Sequence, residues 1–124
     1  MSNTLRVFKC EHCGDLIELL DGKVTPVCCG EKMKEIVHAA VEAATEKHIP
    51  VYEKDGDVIH VSVGEVEHPM TEEHSIEYIW AVFDNRVERV HVCPGEKPQA
   101  DFLVGDHSFT LYAYCNLHGL WVSQ

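Results

Sequence analysis

Short apolar runs that alternate with polar positions dominate this chain, and that period of two is the mark of half-buried strands. The pattern is clearest after Val51. Ile59, Val61 and Val63 alternate with polar neighbours across Val58–Val63, and the Asp55-Gly56 turn separates that run from Val51–Glu53. Further strands are expected over Ile76–Phe83, Val87–Cys93, Asp101–Val104, Ser108–Cys115 and Leu120–Ser123, with turns at Asp84-Asn85, Pro94-Gly95 and Gly105-Asp106. Seven short strands with regular turns predict an antiparallel β-sandwich.

The N-terminal part has a different texture. Leu5–Lys9 reads as a strand leading into Cys10-Glu11-His12-Cys13-Gly14, and Leu16–Leu20 as a second. Asp21-Gly22 is a hairpin signal, with a return over Lys23–Val27 into Cys28-Cys29-Gly30. So little apolar material cannot bury a core of its own, so this unit is expected to need a metal to fold. Between the two regions, Met33, Ile36, Val37, Ala40, Val41 and Ala44 recur at helical spacing. This allows an amphipathic helix over Glu31–Glu46 that connects the domains, or an extended path for Met33–Val37; periodicity alone leaves both open.

Length and charge narrow the classes. A chain of 124 residues holds one ordinary domain, or a small metal-stapled module beside one. The net charge of −11 argues against nucleic acid and against an anionic membrane surface. With no long apolar span and no charged-then-apolar leader, a cytoplasmic location is expected. In that compartment six cysteines point to metal or redox work before disulfides.

Two ligand sets stand out. Cys10 and Cys13 with Cys28 and Cys29 form a Cys-x2-Cys pair followed by an adjacent pair, a tetrathiolate set suited to iron or zinc. An adjacent pair strains the geometry and should open one sulfur–metal–sulfur angle. The second set is His48, His68, His74, Cys115 and His118. Any one histidine is most often an ordinary surface or capped residue, and His12, His38, His60, His91 and His107 are read that way. Five ligands exceed the four of a structural zinc site and suit a redox metal, iron first, with a sixth position open. A Cys-x2-His pair on a sandwich also fits a blue-copper carrier, but no methionine follows His118 to serve as axial ligand, and the extra histidines have no role there. Cys93 matches no motif and is expected to be a small buried strand residue.

Taken together, Cys10-x2-Cys13 with Cys28-Cys29, Glu46-Lys47-His48-Ile49-Pro50-Val51, His68-Pro69-Met70, His74 and Cys115-Asn116-Leu117-His118-Gly119 resemble desulfoferrodoxin, the two-iron form of superoxide reductase. The likeness runs through nearly the whole chain. It implies a rubredoxin- or desulforedoxin-like Fe(Cys)4 module over 1–36 and an immunoglobulin-like sandwich with the catalytic iron over 37–124. The resemblance places His48, His68, His74 and His118 equatorially and Cys115 axially around that iron, with Glu46 at the sixth position in the resting ferric state and Lys47 over the open face. It also implies one-electron reduction of superoxide to hydrogen peroxide, a rubredoxin-type electron donor and a homodimer. Two irons per chain are expected, with zinc or calcium at most incidental. The first iron is either an electron relay or a structural staple. The reading from a different class is a non-enzymatic iron or blue-copper-like electron-transfer protein.

Overall fold

The structure is a computed structural model that describes residues 5–36, 48–64 and 68–123. The chain divides into a small unit, Thr4–Val37, and a larger one made chiefly of His38–Gln124. The elements described are twelve strands.

In the small unit, β1 (Val7–Lys9) is the centre of a three-stranded antiparallel sheet, flanked by β2 (Leu16–Glu18) and β5 (Lys34–Ile36). Phe8, Cys10 and Met33 form a buried cluster with Leu19 and Cys28 packed against it, and Leu5 and Val7 are buried as well. So few side chains bury far too little apolar surface to offset the chain entropy of some thirty ordered residues. The return expected after Asp21-Gly22 does not form. β2 takes β1 as its partner, and residues 23–26 form no strand. The hairpin lies further on, where β3 (Val27–Cys28) and β4 (Glu31–Lys32) pair across Cys29-Gly30. These two residues have φ of 53° and 77°, the left-handed pair of a two-residue type I′ turn. Of the helix and the extended path left open after Glu31, the extended one is taken where the stretch is described. Residues 31–36 are extended, because Lys34–Ile36 completes the sheet on β1 while Met33 drops into the core. Residues 37–47 of that expected helix lie outside the described residues.

The larger unit contains seven strands in two antiparallel sheets. β6 (Pro50–Asp55), β7 (Val58–Val63) and β10 (Gln99–Leu103) form one in the order β10-β7-β6. β8 (Ile76–Val82), β9 (Val87–His91), β11 (Thr110–Cys115) and β12 (Gly119–Val122) form the other in the order β12-β11-β8-β9. This is the expected sandwich, with the first, second and fifth strands facing the third, fourth, sixth and seventh. Ile59, Val61, Val63, Ile79, Ala81, Phe102, Leu111, Ala113 and Cys115 line the space between the sheets. Cys115, at 0% exposure, is thus an inward-facing residue at the end of a central strand.

Cys93 is exposed rather than buried. β9 ends at His91, Val92 takes the inward position, and Cys93 opens a turn in which its own N–H donates to Glu96 Oε1 at 2.8 Å. In protein loaded with metal at both ligand sets, a thiol reagent such as 5,5′-dithiobis(2-nitrobenzoate) should therefore titrate one cysteine rapidly. Cys93→Ser should abolish that fast phase; a fast phase surviving the substitution would contradict the exposure.

Candidate metal centres

Two groups of potential ligands converge among the described residues, one in each unit. In the small unit, Cys10 and Cys13 come from the knuckle after β1, where Gly14 N–H donates to Cys10 C=O and Cys10 N–H to Asp15 C=O, both at 2.9 Å. Gly14 has φ of 83°, which lets the knuckle close so tightly. Backbone N–H groups of Cys13 and His12 point at the Cys10 sulfur and lower its pKa to about 6. Cys28 ends β3, and Cys29 occupies the first left-handed turn position. The Cys13 and Cys28 sulfurs are 3.6 Å apart and those of Cys28 and Cys29 3.9 Å. A tetrahedral ion with bonds of about 2.3 Å would separate its sulfurs by about 3.8 Å. The four thiolates therefore fit a tetrahedral ion. The adjacent pair is achieved by placing a non-glycine residue at φ of 53°, a conformation costing roughly 1 kcal/mol or more.

The second group uses the rim of the sandwich. His48 precedes β6, His68 and His74 lie in the β7–β8 connection, Cys115 ends β11, and His118 sits in the three-residue turn to β12. The four rings make a closed square. Centroids lie 4.7 Å apart for His48–His68, 4.6 Å for His68–His74, 5.0 Å for His74–His118 and 4.8 Å for His118–His48. His48–His74 is the diagonal at 6.4 Å. Neighbouring planes cross at 73–81°, like the blades of a propeller. Nε2 of His48 and Nδ1 of His118 stand 3.0 Å apart, the edge expected for two adjacent nitrogens at about 2.1 Å from one ion. The Cys115 sulfur is 3.8 Å from that same Nδ1.

The protonation chemistry also asks for a cation. His68 Nδ1–H donates to Pro69 C=O at 2.7 Å, which fixes the tautomer and turns a bare Nε2 lone pair inward; that atom is buried with no hydrogen-bond partner. Burial first, then the neighbouring imidazoles, lower the His68 pKa to about 4 despite the bond to Pro69, so the ring is neutral at physiological pH. Burial pushes the Cys115 thiol up, while N–H groups of Leu117 and His118 directed at the sulfur oppose it. Four imidazoles converging on a buried thiol, with no carboxylate among the described residues of the group, fit an iron ion that supplies the missing positive charge. Met70, the one methionine near these ligands in sequence, has its sulfur engaged by Ile76 N–H at 3.3 Å, which weakens the blue-copper reading.

Three of the other described histidines are engaged elsewhere: His12 with Glu31 at 3.1 Å, His60 with Asp101 at 2.8 Å, and His91 stacked on Tyr78. Glu46 and Lys47 lie outside the described residues. Sequence reasoning missed the residues that aim the ligands, namely the Pro69 carbonyl, Asn116, and Trp121, which stacks on His48 at 4.5 Å and 18°. Only Asn116 left a sequence signal, its place inside the Cys-x2-His spacing.

A tetrathiolate knuckle and a four-histidine, one-cysteine square on a β-sandwich define a non-haem metalloprotein with two separate mononuclear centres. The family profile "Desulfoferrodoxin" matches residues 40–124, and "Desulfoferrodoxin, N-terminal domain" matches residues 2–36. The desulfoferrodoxin of Syntrophotalea carbinolica is 45% identical over 125 residues, covering 100% of this chain and 99% of that protein. That of Clostridium acetobutylicum is 47% identical over 122 residues, covering 98% and 97%. Among solved structures, the superoxide reductase of Treponema pallidum superposes with a TM-score of 0.83 over 100% of both chains at 28% identity. This chain belongs to the desulfoferrodoxin family, and its two ligand sets match the two iron centres of that family.

The depressed His68 pKa has a testable sign. Its folded value lies below the ordinary value of about 6.5, so in metal-free protein the ring takes up its proton only as pH falls towards 4. Over that interval the unfolded chain binds more protons, and stability falls with falling pH. Imidazole NMR of metal-free protein should show one histidine, lost in His68→Gln, titrating well below the rest. An ordinary midpoint would show that the ring is not desolvated.

Proposed function

We propose that this chain is a superoxide reductase, and the observation that carries the reading is the square of four imidazoles closed around the buried Cys115 thiol. His48, His68, His74, His118 and Cys115 would hold an iron ion, which would supply the one electron that, with two protons, converts superoxide to hydrogen peroxide with no release of dioxygen. Each residue has a separate task. Pro69 holds His68 in the ligating tautomer. Among the described ligands Cys115 would contribute the one negative charge, from the buried side. His118 is exposed, so the rim beside it opens to water and to protons from solvent.

Substrate capture requires reversing the chain's own field, since a net charge of −11 repels superoxide at long range. Four neutral imidazoles and one thiolate leave a ferrous ion singly positive, and we assign Lys47 to add to that local field. The same ligands would leave a ferric ion doubly positive, and we assign the Glu46 carboxylate to bind it in the resting state and to release it on reduction. The domain division 1–36 and 37–124, the homodimer, the rubredoxin-type electron donor and a cytoplasmic location belong to the same reading. Exposed Leu20, Val24 and Val27 on the small unit support a second copy packing there. No described helix is long and apolar enough to cross a membrane.

Three substitutions test the assignment. Cys115→Ser should lose the red-region thiolate-to-iron absorption and nearly all superoxide reduction while the tetrathiolate spectrum persists; retention of both would sink the ligand set. Lys47→Ala removes a charge worth on the order of 1 kcal/mol, so pulse radiolysis should find the encounter roughly tenfold slower and less dependent on ionic strength. An unchanged rate would remove Lys47 from the mechanism. Glu46→Ala should keep fast reduction but let azide or cyanide bind the oxidised protein more tightly. Loss of the initial reaction would make Glu46 a proton donor instead.

A further inference from the structure

The ladder between β8 and β11 ends irregularly. Tyr114 pairs with Tyr78, but the next partner of Cys115 is Ile76, so Glu77 is bulged out and β8 begins there. Beyond this point no strand pairing holds the turn carrying Cys115 and His118 to the loop carrying His74. One side chain spans the gap. Asn116 Oδ1 accepts the Ser75 N–H at 3.0 Å, and Asn116 Nδ2 donates to Glu73 C=O at 3.1 Å. The Asn116 backbone N–H donates to Ser75 C=O at 3.2 Å. The amide thus grips the chain on both sides of His74, while its own backbone is bonded to Cys115. Ser75 is 2% exposed, so its N–H has little access to water as a replacement partner.

We propose that Asn116 is a positioning residue that sets the distance between His74 and Cys115, by extending the β8–β11 pairing past its bulge. This rests on His74 and Cys115 both being iron ligands. The chemistry is selective. Aspartate keeps the acceptor for Ser75 but turns an anionic oxygen towards the Glu73 carbonyl; alanine removes both bonds; glutamine is a methylene too long. Thr71 ties the His74 loop only to itself, through Oγ1 and His74 N–H at 3.1 Å, and cannot substitute.

The test uses the full-length chain as wild type, Asn116→Ala and Asn116→Asp. In metal-free protein, amide exchange at Ser75 should quicken at least tenfold in the alanine variant and remain protected in the aspartate variant, with Ile79 in the sheet unaffected in both. In iron-loaded protein, a chelator should strip the histidine–cysteine iron about 10–100-fold faster from both variants, the usual range for loss of a group that orients a ligand. The thiolate-to-iron band should shift while the tetrathiolate bands stay in place. Wild-type release rates and band positions in Asn116→Ala would overturn the proposal. So would equal loss of protection at Ser75 and Ile79, which marks a merely general stabiliser. If the alanine variant does not fold, aspartate decides alone, and wild-type iron release in it rejects the assignment. A wild-type protein that reduces no superoxide would defeat the functional reading, yet exchange at Ser75 and iron release would still judge Asn116.

Discussion

The pairing of β8 with β11 is the constraint on which the second centre depends. These two strands are central in their sheet, and their inward residues Ile79, Ala81, Leu111 and Ala113 are fully buried between the sheets. Where the pairing stops, it delivers Cys115 on one side and, two residues before β8, His74 on the other. His118 follows in the turn that Gly119 closes at φ of 83°. Three of five ligands thus hang from one rigid seam, and the connection arriving from β7 brings His68. Ligands projecting from strand ends are held far better than ligands on free loops.

The small unit inverts this relation. In the sandwich the core comes first and the ligands are aimed from it; in the small unit the ligands are most of the core. Cys10 is one of three residues in its buried cluster with Phe8 and Met33, and Cys28 packs beside them. The left-handed Cys29 shows the consequence, since a backbone conformation that costs energy persists only where something over-determines it. Four sulfurs drawn together by one cation can do that, and a handful of apolar side chains cannot.

Much of this was legible in the sequence because its signals are short-range or chemically rare. Alternation and turn residues located the seven strands of the sandwich, and cysteine spacing located the first centre. The square of histidines was harder. His48 and His118 are 70 positions apart, and only their joint spacing with Cys115 raised them above ordinary histidines. The stripe from Met33 left a helix and an extended path open, and the edge of β1 selected the extended one over Lys34–Ile36, a tertiary demand that no local pattern carries. What failed did so for identifiable reasons. Asp21-Gly22 is a strong hairpin signal that lost to the Cys29-Gly30 turn, where metal ligation places a cysteine in a glycine-like conformation. Cys93 was misplaced because the expected strand ran two residues past His91, where β9 ends, and Val92 takes the inward position.

The stacking of Trp121 on His48 gives the molecule an optical consequence. A chain with two tryptophans carries one of them in face-to-face contact with a ring of the histidine–cysteine site. An ion held there would absorb strongly through its thiolate, within reach of the light that this indole releases. Emission from Trp121 should therefore fall when the square is filled and rise when it empties, a fluorescent gauge of occupancy built into the histidine–cysteine centre.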